Sequence, residues 1–322
     1  MRQTIAAAGA GRMGRGLAIV FAYAGHPVHL VDLKPREDAS GWLGAAEAEI
    51  LGTLNILVGC GMIGEGDIDR IAGRVSYVPF SAAPEALANS AVIFEGVPET
   101  LEAKAEALAA VSAHAAPDAI IASTTSTILS DELQGMVTGP ERFLNAHWLN
   151  PAFLVPLVEI SPGQATDPDV TASLVTMLEA IGKMPVVMKA SPGFIVPRIQ
   201  ALAMNEAARI YEEGVANAED IDKATVFGLG FRFAILGMLE FIDWGGGDIL
   251  HHASRYMSDA TGEDRFEAPD VIGRNMAEGR IGLRTGQGFL NYEGMDIPAY
   301  QRERLSAFVA MLHHLGLFRP AA

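Results

Sequence analysis

The sequence predicts an α/β protein in which a parallel sheet covered by helices is followed by a second, all-helical domain. Short apolar runs alternate with helical patterns over the first half of the chain, which is typical of strand–helix–strand units. The last third keeps helical periodicity, interrupted by glycine-rich turns at 245–247 and 282–288. A third glycine cluster joins the first predicted strand to the first predicted helix.

The predicted strands are short apolar runs bounded by turn signals, as expected for a sheet buried on both faces. We expect strands at residues 5–8, 28–31, 92–94, 119–122 and 143–146, with two later strands of the same layer at 155–160 and 185–188. Residues with helical spacing lie between them, and they predict helices at 17–23, 99–112 and 130–136.

Turn signals then divide the chain into two domains. The cluster Ser191-Pro192-Gly193 is typical of a turn. Pro197 suits the first turn of the helix that follows, and another helix is expected to begin near Asn217. We therefore place the boundary near residue 189, with domains at 1–189 and 190–322.

Composition narrows the class of protein and its partners. The length of 322 residues is enough for two domains. With 23 basic and 39 acidic side chains the net charge is −16, which argues against nucleic acid and anionic membranes as partners. One cysteine, Cys60, excludes internal disulfides and a cysteine-rich metal site. Because no apolar stretch approaches the ~20 residues of a membrane span, we expect a soluble cytoplasmic protein. We also expect no bound metal.

The glycine cluster after the first strand predicts a dinucleotide site. Gly9 allows the tight turn, Gly11 allows a diphosphate to approach the backbone, and Gly14 allows helix and strand to pack closely. The helix N-terminus supplies free N–H groups to the phosphates. Asp32 ends the next strand, 18 residues after Gly14. There its carboxylate would accept from the ribose hydroxyls and repel the 2′-phosphate of NADP. The pattern therefore predicts a Rossmann-type doubly wound sheet that binds NAD.

Five further motifs occur in a fixed order along the chain: FEGVPE from Phe94, STTST from Ser123, HWLNP from His147, PGFIV from Pro192 and GLRTGQGF from Gly282. Together they resemble the 3-hydroxyacyl-CoA dehydrogenase family, which includes the lambda-crystallin/gulonate dehydrogenase and carnitine dehydrogenase branches. The resemblance covers roughly residues 3 to 292. It implies a Rossmann domain plus an all-helical C-terminal domain, with the helical domain forming a homodimer interface.

The resemblance also implies roles for individual residues. His147 matches the family histidine that takes the proton from the substrate hydroxyl. Glu159, 12 residues later, matches the carboxylate that orients this histidine, as in catalytic triads. Ser126 and Asn150 match the polar pair that polarises the reacting oxygen and carbonyl.

Two more positions match family residues near the cofactor. Glu99 matches a position on the nicotinamide ribose side, and Lys104 matches one at the cofactor hydroxyls. Arg12 and Met13, which lie within the glycine turn itself, are further candidate cofactor-binding residues.

The sequence departs from the family pattern at several points. Pro197 stands where the family has an asparagine that touches substrate, and Thr124 replaces another asparagine. Arg232 lies in a longer loop typical of the branch that acts on small free hydroxy acids, so it is a candidate carboxylate anchor. Residues 39–69 contain no lysine or arginine, whereas acyl-CoA enzymes of the family place lysines there.

The leading interpretation is an NAD-dependent dehydrogenase that oxidises a secondary 3-hydroxyl, with a short L-3-hydroxyacyl-CoA such as 3-hydroxybutyryl-CoA as substrate. The alternative substrate is a small free hydroxy acid held by Arg232. The related 6-phosphogluconate-like enzymes rely on a lysine in the first long helix of the second domain, and residues 197–213 contain none. A non-catalytic, crystallin-like or NAD-sensing protein is a further alternative, against which the His147–Glu159 pair argues.

Overall fold

The computed structural model describes residues 2–320, which divide into two compact units, Met1–Ala203 and Met204–Ala322. All eight strands that the structure describes lie in the first unit, and the described part of the second is helical. The predicted fold class is therefore confirmed. The proposed domain boundary near residue 189 stays a prediction.

The strands form one twisted layer with the spatial order β3-β2-β1-β4-β5-β6-β7-β8. They are β1 (Ile5–Ala8), β2 (Val28–Val31), β3 (Val75–Val78), β4 (Val92–Glu95), β5 (Ile120–Ser123), β6 (Phe143–Trp148), β7 (Leu157–Pro162) and β8 (Met184–Val187). The chain winds outward from β1 in both directions, which is the doubly wound arrangement. Every neighbouring pair is parallel except β6 and β7.

Two features of this sheet depart from the sequence-based expectation. The strand β3 was not predicted, because it is four residues long at the sheet edge and its second residue, Ser76, is exposed. The pair β6–β7 is antiparallel, although a parallel sheet was expected. Residues 149–156 are too few for the crossover of a dozen or more residues that a parallel connection needs.

Helices cover both faces of the sheet in the first unit. They are α1 (Arg12–Tyr23), α2 (Ala39–Gly59), α3 (Asp67–Ala72), α4 (Ala83–Ala88), α5 (Leu101–His114), α6 (Ser130–Leu133) and α7 (Pro168–Ala180). Polar side chains begin the longer ones: Asp38 accepts from the N–H of Gly41, and Thr100 from that of Ala103, which satisfies donors that the helix leaves unpaired.

The core of the first unit lies on either side of the sheet. Alternate residues of each strand face opposite sides, so that Ile5 and Ala7 join one buried cluster and Ala6 and Ala8 the other. Phe21, Phe94 and Trp148 make mutual ring contacts within the first cluster, with centroids 5.3 to 6.0 Å apart. This packing fixes α1 against the C-terminal ends of β4 and β6.

The second unit is built from helices, the first of which begins in the first unit. They are α8 (Val196–Glu212), α9 (Ala218–Ala224), α10 (Phe231–Phe233), α11 (Met238–Gly245), α12 (Gly247–Thr261), α13 (Asp270–Ala277) and α14 (Ile297–His314). A π-helical segment, Thr225–Gly230, joins α9 to α10. Asn217 caps α9 by accepting from the N–H of Asp220, as the predicted helix start requires.

The buried carboxylate of Asp243 organises the glycine-rich turn of the second unit. It accepts from the N–H groups of Phe289 (2.9 Å) and Leu290 (2.8 Å) and from the hydroxyl of Tyr292 (3.2 Å). Burial, together with the Asp243 charge, raises the pKa of the Tyr292 phenol. Asp243 therefore fixes the backbone of this turn.

No single helix among residues 2–320 is both long and apolar enough to cross a membrane. One bent pair, Ala218–Phe233 with Met238–Gly245, meets the length and composition required, and its arms are inclined at 86°.

Candidate active site

The turn between β1 and α1 excludes side chains at two of its glycines. Gly9 has φ of 117°, and a Cβ atom there would lie 2.9 Å from the carbonyl oxygen of Gly96. A Cβ atom at Gly14 would overlap the carbonyl oxygen of Gly9. Both positions need glycine for the close packing of helix and strand.

The same turn leaves space where a diphosphate would lie. Gly11 is the N-cap of α1, and no side chain caps this helix. A Cβ atom at Gly11 would meet nothing within 4 Å, so the N–H groups of the first helical turn face open space beside an exposed Arg12. Met13 is partly buried and packs against the core. These features fit an NAD diphosphate at the positive end of a helix.

Asp32 follows β2 and is 3% exposed. Its carboxylate accepts from the N–H of Lys34 (3.2 Å) and from Arg36, whose Nε lies 2.9 Å from Oδ2. The Arg36 guanidinium also lies 4.2 Å above the Trp42 ring. Asp32 therefore lies at the end of β2, where a ribose-binding acid is expected. Its pairing with Arg36 was not predicted, although Arg36 follows Asp32 by four residues, a spacing that suits an ion pair.

His147 and Glu159 form a buried pair across two strands. They are directly opposite each other in the antiparallel register of β6 and β7, which places neighbouring side chains on one face. The Nδ1 atom of His147 lies 2.7 Å from Oε2 of Glu159, and the residues are 5% and 1% exposed. Since Nδ1 is engaged, Nε2 is the nitrogen available for a substrate proton.

The second oxygen of Glu159 contacts a segment that the sequence analysis gave no chemical part. Its Oε1 accepts from the N–H groups of Ile195 and Val196, at 2.8 Å each. The ring of Phe194 stacks on the imidazole of His147. In the sequence, this segment is marked by the PGFIV motif and its place in the order of the five motifs.

Glu99 accepts several hydrogen bonds from the loop that follows β5. Its Oε1 accepts from the N–H of Ser126 (2.9 Å), the N–H of Thr127 (3.0 Å) and the hydroxyls of Thr125 and Thr127. Burial raises the pKa of the Glu99 carboxyl, but these hydrogen bonds and the charge of Lys104 outweigh it and lower the pKa to about 2. The Ser126 hydroxyl lies 3.5 Å from the same oxygen and is partly exposed.

Lys104 lies beneath Glu99 and is 1% exposed. Its Nζ donates to both oxygens of Glu95, at 3.0 and 3.1 Å, and lies 3.5 Å from Glu99. The FEGVPE motif contains Glu95 but does not predict this pair, because Glu95 and Lys104 do not share a helical spacing. The ammonium of Lys104 thus lies between the carboxylates of Glu95 and Glu99 and helps to fix the position of Glu99. Direct contact of Lys104 with a cofactor hydroxyl stays a prediction.

Asn150 lies in a groove of the first unit beside two arginines. The groove runs between α1, α2 and the residues after β6, and it is lined by Arg12, Arg15, Gly16, Ile19, Glu49, Thr53, Asn150, Pro151, Ala152 and Phe153. Arg15 is held by the carbonyl oxygen of Ala10 and by the Glu49 carboxylate. The structure thus brings together Asn150 and Arg12, which the sequence analysis assigned to substrate and cofactor respectively.

Arg232 belongs to the second unit, on α10. Its Nε donates to the carbonyl oxygen of Gly228 (2.9 Å), and its guanidinium lies 5.0 Å from the ring centre of Phe241. The side chain of Arg232 is exposed. Within residues 2–320, no three His, Cys, Asp or Glu side chains cluster closely enough to hold a metal ion.

Both halves of the chain match models of one protein family. Residues 4–191 match the model described as 3-hydroxyacyl-CoA dehydrogenase, NAD binding domain. Residues 193–292 match the model described as 3-hydroxyacyl-CoA dehydrogenase, C-terminal domain.

The similar proteins carry names with different substrates. The chain is 30% identical over 314 residues to 5-formyl-3-hydroxy-2-methylpyridine 4-carboxylate 5-dehydrogenase of Mesorhizobium japonicum, covering 97% of each protein. It is 37% identical over 186 residues to L-carnitine dehydrogenase of Pseudomonas putida, covering 57% of each. The crystal structure of a 3-hydroxyacyl-CoA dehydrogenase from Archaeoglobus fulgidus superposes with a TM-score of 0.78 and 30% identity, over 98% of this chain and 100% of that one.

Proposed function

The chain belongs to the 3-hydroxyacyl-CoA dehydrogenase family, and from this premise we propose that it oxidises a secondary 3-hydroxyl to a ketone with His147 as the base. The resemblance drawn from its motifs is confirmed. The family consists of NAD-dependent oxidoreductases, and NAD is the cofactor. When bound, its nicotinamide accepts a hydride from the hydroxyl-bearing carbon.

The buried His147–Glu159 pair is the observation that carries this proposal. Nε2 of His147 accepts the hydroxyl proton, while Nδ1 stays hydrogen-bonded to Glu159 at 2.7 Å. The carboxylate fixes the tautomer and stabilises the imidazolium as it forms. A proton therefore moves onto a nitrogen whose ring is already oriented, which is the requirement for efficient general-base catalysis.

Polar groups around this pair complete the proposed site. Ser126 and Asn150 polarise the substrate oxygens without adding a charge. Glu99 holds the Ser126 backbone in place from the nicotinamide side. The proposed cofactor contacts are those of the glycine turn, the ribose acid and the nicotinamide side: Gly9, Gly11, Arg12, Met13, Gly14, Asp32, Glu99 and Lys104.

The leading substrate is a short-chain L-3-hydroxyacyl-CoA of the 3-hydroxybutyryl-CoA type. The family model and the Archaeoglobus fulgidus neighbour support it. The groove beside Asn150 adds support, because Arg12 and Arg15 outnumber Glu49 among its charged lining residues, and a net positive charge suits the phosphates of coenzyme A.

The second candidate is a small free hydroxy acid. The surface of α2 and α3 favours it, because that surface carries exposed acids such as Glu47 and Asp69 and would repel a polyanion. Arg232 remains its candidate carboxylate anchor, since a guanidinium can bind a carboxylate with two hydrogen bonds. Two similar proteins are named for a pyridine carboxylate and for carnitine.

We further infer a homodimer formed through the helical domain, a division of the chain near residue 189 and a cytoplasmic location. The helices of the second unit leave large apolar side chains exposed, including Phe227 at 51%, Ile249 at 60% and Tyr256 at 74%. Exposed apolar side chains of this size are found at protein interfaces when they form a common patch. Sedimentation of the purified protein tests the dimer.

Formation of NADH by the purified protein tests the proposed reaction. The substrates to compare are L-3-hydroxybutyryl-CoA, free 3-hydroxybutyrate, gulonate and carnitine, each with NAD or NADP. Turnover of the thioester alone supports the leading candidate, and turnover of free acids alone supports the second. Arg232→Ala is then expected to raise KM for a free acid, whereas Arg255→Ala, an exposed arginine on α12, serves as the matched control. Failure of every hydroxy substrate contradicts the proposed reaction.

A further inference from the structure

Residues 191–196, which we call the linker turn, contact both members of the His147–Glu159 pair. The ring of Phe194 stacks on the imidazole of His147, with 4.9 Å between centroids and 27° between planes. The next two residues, Ile195 and Val196, donate their N–H groups to Oε1 of Glu159. One short segment therefore holds the base through a side chain and the carboxylate through the main chain.

The linker turn takes a backbone conformation that phenylalanine rarely adopts. Phe194 has φ of 48°, and it is the one residue other than glycine with positive φ in the described part of the chain. This left-handed conformation crowds the Cβ atom and is disfavoured for every residue that has one. Strain of this kind persists where neighbouring contacts over-determine it, and it concentrates at functional sites. Here the strained side chain is 5% exposed and covers the candidate base.

The two contacts act on different properties of the pair. Glu159 accepts hydrogen bonds from two N–H groups at the start of α8, a helix of 17 residues, and these fix the position of its carboxylate. Its other oxygen remains directed at Nδ1 of His147. The Phe194 ring covers one face of the imidazole, which opposes rotation of the imidazole ring.

We propose that Phe194 is a positioning residue for proton transfer and that its strained conformation is what allows the linker turn to hold His147 and Glu159 together. The assignment rests on the proposed function, because it gives Phe194 a part in proton transfer by His147. Phe194 itself reaches neither of the transferred atoms. The Phe194 ring instead increases the fraction of time for which the His147 imidazole has the orientation needed for proton transfer.

Replacement of the ring tests the proposal kinetically. Phe194→Leu keeps apolar bulk but removes the stacked face, and it is expected to lower kcat about 10- to 100-fold, the size of effect that misplacement of a catalytic group produces. KM for NAD is expected to stay unchanged, because the glycine turn and Asp32 are untouched. Phe194→Tyr keeps the ring and is expected to restore most of kcat.

A measurement without turnover separates this proposal from the proposed reaction. The Nδ1 proton of His147, hydrogen-bonded to Glu159, is expected as a downfield NMR resonance in the wild-type protein and to broaden in Phe194→Leu. His147→Gln assigns the resonance by removing it. If no hydroxy substrate is oxidised while the resonance behaves as described, the proposed function fails and the positioning role of Phe194 stands.

A pair of variants controls for folding. Phe194→Ala and Phe194→Gly both lack the ring, but only glycine adopts positive φ without strain. Both are expected to lose kcat to a similar degree, with Phe194→Gly the more stable in denaturant unfolding. A Phe194→Leu or Phe194→Gly enzyme with wild-type kcat and an unchanged Nδ1 resonance would overturn the proposal.

Discussion

Two buried carboxylates, Glu95 and Glu159, lie in the same sheet with different cations beside them. Glu95 is fully buried and is paired with the side-chain ammonium of Lys104, whose Nζ lies 3.0 Å from Oε1. Glu159 is paired with His147, a residue type that gains and loses its proton near neutral pH. A strand and a helix, β4 and α5, bring the first pair together, and two strands, β6 and β7, bring the second together. Proton exchange with a substrate is proposed for the second pair alone.

The comparison teaches that burial of a carboxylate does not by itself mark a catalytic residue. Glu95 also accepts from the N–H of Val97 and the hydroxyl of Ser123, so it fixes the loops on which Glu99 and Ser126 lie. The second carboxylate oxygen of Glu159 accepts hydrogen bonds from the linker turn. The partner of each carboxylate, and not its exposure, separates a structural pair from a chemical one.

The largest expected effect distinguishes the two pairs by turnover. His147→Ala is expected to lower kcat by about 10²–10⁴-fold, the usual contribution of an acid–base group. Steady-state rates of NADH formation measure this, and the Kd for NAD is expected to remain unchanged. If the variant retains most of the wild-type kcat, His147 is not the base.

Removal of the other cation is expected to affect folding more than chemistry. Lys104→Met leaves the Glu95 carboxylate buried without its partner, and loss of one member of a buried pair costs about 3–5 kcal/mol of unfolding free energy. Urea unfolding measures the change. The matched control is Lys223→Met, whose exposed pair with Glu219 contributes ~1 kcal/mol or less. Equal losses in the two variants would contradict a structural role for the buried pair.

Glu99 gives a smaller effect with a defined pH range. Because its pKa in the folded chain is about 2, below the ordinary value of 4.5, its contribution to stability is fully present above pH 4.5 and is lost as the pH falls toward 2. The stability difference between the wild-type protein and Glu99→Gln is therefore expected to shrink over that range. Unfolding followed by circular dichroism at several pH values tests this, and a constant difference would exclude the assigned charge state.

The smallest effect concerns a third carboxylate, Asp32, whose partner is partly exposed. Arg36 neutralises part of the Asp32 charge and so weakens the repulsion of an NADP 2′-phosphate. Arg36→Leu is expected to raise the preference for NAD over NADP about fivefold, since a partly exposed pair is worth ~1 kcal/mol. Competition binding of the two dinucleotides measures the ratio, with Arg70→Leu as a control. An unchanged ratio would show that Arg36 has no part in discrimination.

The sequence predicts most of the sheet because buried parallel strands are continuous apolar runs. It predicts β3 poorly, because an edge strand with an exposed serine lacks such a run. The family motifs named His147 and Glu159 as a pair, whereas the antiparallel register that sets their contact depends on a loop too short for a crossover.

The conformation of Phe194 lay outside what sequence patterns express. Positive φ is expected at glycine, and Gly193 just before it also has φ of 78°. Nothing in residue type predicts that the following phenylalanine continues in the left-handed region. Likewise, the contact between Glu95 and Lys104 depends on how α5 packs on β4, which a spacing of nine residues does not indicate.

His147 and Glu159 are directly opposite each other across β6 and β7, so the spacing of the two strands sets the distance between their side chains. Residues 149–156, which join the two strands, are too few for a parallel crossover and so keep the pair antiparallel. The separation of imidazole and carboxylate is therefore a property of the backbone ladder. A shift of the register by one residue would turn one of the two side chains to the opposite face of the sheet.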